Sequence, residues 1–189
     1  GRAHYGLSRH WFRDRLTGGG LDPDDYHRTF RQFVLVDTPG LSVAQIAAQP
    51  ANLAAAMSGL TASDYAAPYR DGGWTVRQLV HHMADSHANA YVRVKLALTE
   101  HEPTIKPYDQ DAWVALADSE LVSPLVSLTM FTAIHERLVA VLESLEPAHF
   151  ARRLVHPENG PMTIDQLVGL YAWHGNHHVR HIQRYRESR

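Results

Sequence analysis

Fourteen of the 189 residues are histidine and none is cysteine, so any metal chemistry here rests on nitrogen and oxygen donors. The histidine share is about three times the ordinary one. His174 and His178 stand one helical turn apart in a segment, Ile164 to Tyr185, whose apolar residues recur at helical spacing. On a helical wheel both fall within about 20 degrees of Leu167, on the face that packs inward. Two imidazoles at i and i+4 on one face can share one ion, the spacing that His-Glu-x-x-His helices use for zinc. Here Gly175 and Asn176 follow His174, so the glutamate of that motif is missing and a thermolysin-like protease is not indicated. A single core histidine hydrogen-bonded to its neighbours would be unremarkable. Two side by side leave several ring nitrogens in need of partners, at about 1 to 3 kcal/mol for each one unsatisfied. His177 lies on the flank and His181 back on the apolar face, which makes His174, His177 and His181 a competing set.

A catalytic ion needs a third protein ligand and an open position. The run His81-His82-Met83-Ala84-Asp85-Ser86-His87 offers three candidates. With the wheel centred on Met83, His81 points nearly opposite the core and is expected in solvent, His82 lies at the edge of the apolar face, and His87 lies well inside it. The wheel slightly favours His87. Three imidazoles and an exchangeable position suit zinc first and nickel next, with manganese and iron also possible. Each ligand is expected to pass its second N–H to an outer partner, for which Asp85, Asp165 and Glu136 are candidates.

Four amphipathic helices are expected to position these residues. The first begins near Ser42 and runs through Val43, Ile46, Leu53 and Met57, with Pro50 restarting or kinking it. The second opens on the capping box Thr75-x-x-Gln78 and continues to Leu98, and the third opens on Ser123-Pro124 and reaches about Leu145. The fourth opens on a second box, Thr163-x-x-Gln166. Residues 101–122 form a long connection with a short helical piece near Trp113, and Asn159-Gly160 is a turn signal. The fold class is therefore all-α, a four-helix bundle with long crossover connections. Residues 41–189 form the bundle and residues 1–40 an irregular N-terminal extension, within which 30–36 could pack as a strand or arm.

The remaining composition narrows the function. Lys plus Arg number 18 against 20 for Asp plus Glu, a formal net charge of −2, and no basic run interleaves with aromatics, which disfavours a nucleic-acid partner. Apolar stretches fall short of the roughly 20 residues of a membrane span. A cytoplasmic protein acting on a small molecule, with no membrane partner, is the expectation.

The run Tyr69-Arg70-Asp71-Gly72-Gly73-Trp74-Thr75-Val76-Arg77-Gln78-Leu79-Val80-His81-His82 closely resembles the YfiT-like branch of the DinB superfamily, as does the block Tyr171-Ala172-Trp173-His174-x-x-x-His178. Lys106-Pro107-Tyr108-Asp109 with Trp113, and His156-Pro157, are similar too. The resemblance covers roughly residues 42 to 187. It implies a DinB/YfiT-like bundle with one divalent ion on three histidines. The family's ligand is the second histidine of the His-His pair, so the resemblance selects His82, with His174 and His178. Asn176 stands where close relatives commonly carry a histidine, a departure that touches none of the three.

The resemblance also implies a chemistry. Some members are similar to transferases or isomerases that use bacillithiol, mycothiol or glutathione, and the YfiT-like branch is also linked to metal-dependent hydrolysis. The leading expectation is an S-transferase that conjugates a low-molecular-weight thiol to an electrophile. A hydrolase using metal-activated water and a non-catalytic metal-binding or stress-response helical protein are the alternatives. A homodimer is implied as well.

Overall fold

The computed structural model describes residues 39–157 and 159–189, so the expected arm at 30–36 lies outside the described residues. Helix α1 spans Pro39–Met57 and carries Pro50 inside it. The chain neither stops nor restarts there, because the helix is held by packing of Val43, Ile46, Leu53 and Ala56, which outweighs one lost backbone hydrogen bond. A short helix, α2 (Ala62–Ala66), follows. Helix α3 (Val76–Thr99) starts on the expected box: Thr75 Oγ1 accepts from the Gln78 N–H while Gln78 Oε1 accepts from the Thr75 N–H.

The long connection contains α4 (Gln110–Val114) and α5 (Asp118–Leu121). Helix α6 (Pro124–Glu143) begins with Ser123 accepting from the Leu125 N–H. By length and composition alone α6 could cross a membrane, against the expectation that no stretch is long enough. In this fold it serves as a bundle helix, burying the stripe Ser127, Phe131, His135, Leu138 and Leu142. After α7 (Pro147–Phe150) the turn signal at Asn159-Gly160 is realised as a hairpin. Strand β1 (Arg153–His156) pairs antiparallel with β2 (Gly160–Thr163). The turn residue Gly160 takes a φ of 80°, which glycine adopts without a Cβ penalty. Strand β2 runs into α8 (Ile164–Glu187) through the second capping box.

The four long helices close into a ring of neighbours. Helix α1 packs on α6 and α8, and α3 packs on the same two. The bundle is thus the expected four-helix fold with a small two-stranded sheet at its rim. The crossover is tied to that sheet by the Ile105 N–H donating to Val155 O (3.0 Å) and the Val155 N–H donating to Pro103 O (2.9 Å). Arg152 reaches from the hairpin to the end of α3, donating to Ala97 O (2.7 Å) and Glu100 O (2.9 Å). At the other end of the bundle Asp64 accepts from the Thr61 N–H and from Tyr185 Oη and meets Arg189. The Thr61 bonds, with Arg189 and Tyr185, hold its carboxyl below the usual carboxylate range despite burial.

One amide ties helices α1 and α8 together. Gln49 is fully buried, and its Nε2 donates to the carbonyls of Tyr171 (3.1 Å) and Ala172 (2.7 Å). Gly175 makes room for it: a Cβ there would stand 2.4 Å from Gln49 Cδ and Oε1. A Gly175→Ala variant is therefore expected to lose about 1 to 3 kcal/mol of stability, despite alanine's better helix propensity. Thermal unfolding against wild type measures it, and an unchanged or higher Tm would contradict the packing.

Candidate metal centre

Two helices bring the three expected ligands together. The capping box fixes where α3 begins and hence which of its residues face α8, while the hairpin and the second box do the same for α8. His82 Nε2 lies 3.2 Å from His174 Nε2, and His178 Nε2 lies 3.2 Å from the same atom. All three residues are buried, and one nitrogen from each falls within a common 4.8 Å group. Three nitrogens held about 2.0 to 2.1 Å from a tetrahedral ion would be separated by roughly 3.3 Å; the two spacings to His174 match that value, and the third falls within the 4.8 Å group.

The electrostatics agree. Burial pushes the His82 imidazole down to about 3. It also holds His174 and His178 well below the ordinary value, helped by the neighbouring imidazoles. The rings are thus neutral at physiological pH, the form in which a nitrogen lone pair is available. Aromatic faces enclose them: Trp74 packs on His82 at 4.8 Å between centroids, and Tyr171 lies edge-on to His174 at 5.9 Å.

His87 is buried and inward, as the wheel placed it, but it stands one shell out. Its Nε2 is 3.2 Å from Nδ1 of His174, the nitrogen that faces away from the other two ligands. With His174 Nε2 kept as a lone pair, its Nδ1–H donates to His87. His87 Nδ1, buried without a hydrogen-bond partner, then carries the other proton. His181 stands in a similar position on the opposite side, its Nδ1 3.4 Å from Nδ1 of His178. The outer partners of His174 and His178 are therefore imidazoles, and not the carboxylates named as candidates, Asp85, Asp165 and Glu136. His177, His178 and His181 form a second group with metal-ligand spacing, the nearest counterpart of the competing set, but it lacks His174.

Beyond His87 the polar chain continues through its ring neighbour His135, stacked at 4.9 Å between centroids. His135 Nε2 is 3.0 Å from Gln49 Oε1 and its Nδ1 2.7 Å from Phe131 O. Both contacts are acceptors, and a neutral ring serves only one of them. Burial nevertheless holds the group down to about 4. Neither Gln49 nor His135 stood out in the sequence, where each reads as a polar residue within an apolar stripe.

His81 overturns its expectation. It is 7% exposed, with Nδ1 2.7 Å from Ser127 Oγ. The wheel assumed one buried face for α3, but α5 packs on the same helix and covers the side expected in solvent.

A partly enclosed pocket opens beside His174. It is lined by Ser86, Arg93, Tyr108, His156 and Asn159 among polar residues, and by Ile105, Leu154, Met162, Leu167 and Leu170 among apolar ones. The Lys106-Pro107-Tyr108 stretch and His156, both noted in the sequence, meet here.

A family model described as the DinB superfamily matches residues 45–182. A Bacillus mycoides protein is 51% identical over 138 residues, covering 73% of this chain and 79% of the relative. YfiT of Bacillus subtilis is 48% identical over 134 residues, covering 70% and 75%. Both carry the name "putative metal-dependent hydrolase". The solved structure of Bacillus subtilis YfiT superposes with a TM-score of 0.77 at 42% identity, covering 79% of this chain and 86% of that one. That structure is described as having "an unusual four-helix bundle topology". With the bundle, the family model and relatives at this level of identity in agreement, the chain belongs to the DinB superfamily, in its YfiT-like branch.

Proposed function

We propose that the chain is a metal-dependent enzyme that transfers a low-molecular-weight thiol to a small electrophile at the His82, His174 and His178 centre. The observation that carries this reading is the convergence of three buried, neutral Nε2 atoms. A zinc ion, or next a nickel ion, bound there supplies Lewis acidity that lowers the pKa of a small protic nucleophile. The group of candidate ligands contains no carboxylate, so no ligand doubles as a general base. That favours a nucleophile that ionises readily, and a thiol at about 8.5 needs far less help than water at about 15.7. The chain has no cysteine, so the thiol must arrive as a co-substrate. Its sulfur bonds to the electrophilic carbon, the leaving group departs with its electron pair, and the thiol proton goes to solvent. Trp74 and Tyr171 hold the imidazoles in place and keep bulk water off them.

Hydrolysis at the same centre is the second reading, favoured by the names of the relatives. Metal-loaded protein incubated with a chloronitrobenzene, with and without glutathione or a second small thiol, separates the two. Turnover that needs both metal and thiol supports transfer. Cleavage of a nitrophenyl ester that needs metal but no thiol supports hydrolysis in its place. Metal retained with neither activity across thiol and ester panels turns the reading to a metal-binding module.

A further inference from the structure

The pocket beside His174 contains a charge that nothing in its lining balances. Arg93, from the middle of α3, is the one lining residue that carries a full formal charge among the described residues, and none of them is a carboxylate. Its Nη1 donates to Tyr171 Oη (2.9 Å) and its Nη2 to Lys106 O (3.3 Å). These bonds hold the guanidinium plane between α8 and the crossover. Its Nε is buried and has no hydrogen-bond partner. Among the described residues no carboxylate forms an ion pair with it. A guanidinium presents its donors in a planar fork matched to a carboxylate, and an unmet buried donor is costly unless a ligand meets it.

The rest of the lining fits the same class of ligand. Tyr108 offers a hydroxyl that burial keeps protonated. Asn159, in the hairpin turn, has an Oδ1 that is buried without a partner, and its amide presents Nδ2 after a half-turn. Ile105, Leu154, Met162, Leu167 and Leu170 form apolar walls. The enclosed space is about 30 Å³, enough for one or two waters and so for a head group of carboxylate size.

We propose that this pocket is an anion subsite in which Arg93 receives the carboxylate of the substrate and so sets the distance from that carboxylate to the reacting carbon at the His174 edge of the metal centre. The proposal rests on the catalytic reading of the centre. It assigns the substrate class as small monocarboxylates with a compact apolar body, and it gives Arg93 a binding role separate from the metal.

The test is binding to chelator-treated protein, so that no ion competes for the anion. Isobutyrate and its neutral counterpart isobutyramide are titrated and followed by ligand-observed NMR, with inorganic phosphate as a third probe. The expected result is saturable isobutyrate binding, weakened at least tenfold in Arg93→Gln and partly recovered in Arg93→Lys. Asn159→Asp, on a turn where folding is least at risk, should weaken it too. Isobutyramide should show no dependence on Arg93, and the His82→Ala variant should bind isobutyrate as wild type does. No saturable carboxylate binding to wild type would overturn the proposal. So would equal binding of acid and amide, loss in His82→Ala with retention in Arg93→Gln, or phosphate binding more tightly through Arg93. Metal content, measured separately in the Arg93 variants, should be unchanged; if wild type binds no metal, the catalytic reading fails while the carboxylate result stands by itself.

Discussion

Purified protein offered divalent ions is expected to hold about one per chain, and His174→Ala should abolish that binding. His174 is the strongest single test because its Nε2 is the atom from which both other ligand nitrogens stand 3.2 Å away. His82→Ala and His178→Ala should also bring the metal content near zero, since two imidazoles seldom hold a zinc-class ion against solvent. His87→Ala should behave differently. His87 faces only the far nitrogen of His174, so its loss frees the ring's orientation and weakens affinity by about 10- to 100-fold. Metal analysis at saturating ion and competition with a chromogenic chelator distinguish the two patterns. If His87→Ala empties the site while His82→Ala leaves it full, the ligand assignment is wrong.

Acid should destabilise the metal-free protein at a pH above the ordinary carboxylate range. His82 and His135 are pushed down to about 3 and about 4 by burial, and His87, His174 and His178 are lowered in the same direction. In the unfolded chain each returns to about 6.5. Between those limits the unfolded state binds more protons, so stability is full above about pH 6.5 and is lost as pH falls toward the folded values. With several groups acting together the loss should reach several kcal/mol by pH 4. The bound ion should shift the transition to lower pH, because protons and metal compete for the same nitrogens. Denaturant midpoints of the chelator-treated and metal-loaded protein between pH 7.5 and 4 measure both effects. A flat profile in the metal-free protein would show that these imidazoles are not buried as described.

Much of this was legible in the sequence because the signals are local. The boxes at Thr75 and Thr163 mark the starts of α3 and α8 within a residue, since capping is decided within one turn. The i, i+4 pairing of His174 and His178 follows from helix geometry alone. The choice between His82 and His87 was not local. A wheel reports the mean apolar direction of a helix, whereas α3 packs on both α6 and α8 and turns His82 toward one and His87 between them. The family resemblance supplied what periodicity lacked. The burial of His81 depends on a distant segment, α5, and no local pattern announces it, whereas the hairpin at Asn159-Gly160 was marked by its own turn residues. Arg93 had no signal at all, because its unmet donor is defined by the absence of a partner across the fold.

The Gln49 amide has a consequence for which ion the site accepts. It grips the carbonyls of Tyr171 and Ala172, the turn that leads into His174, and fills the space opposite Gly175, between the two ligands of α8. The ligand pair therefore meets an incoming ion with little backbone freedom left to lose, so affinity gains from preorganisation and the spacing of the nitrogens cannot relax to suit every radius. A flexible trio of imidazoles would rank ions by intrinsic strength, in the order that ends at copper. A stiff one ranks them by how well each accepts the geometry offered. Discrimination among metals is then partly a property of α1, a helix that supplies none of the three ligands.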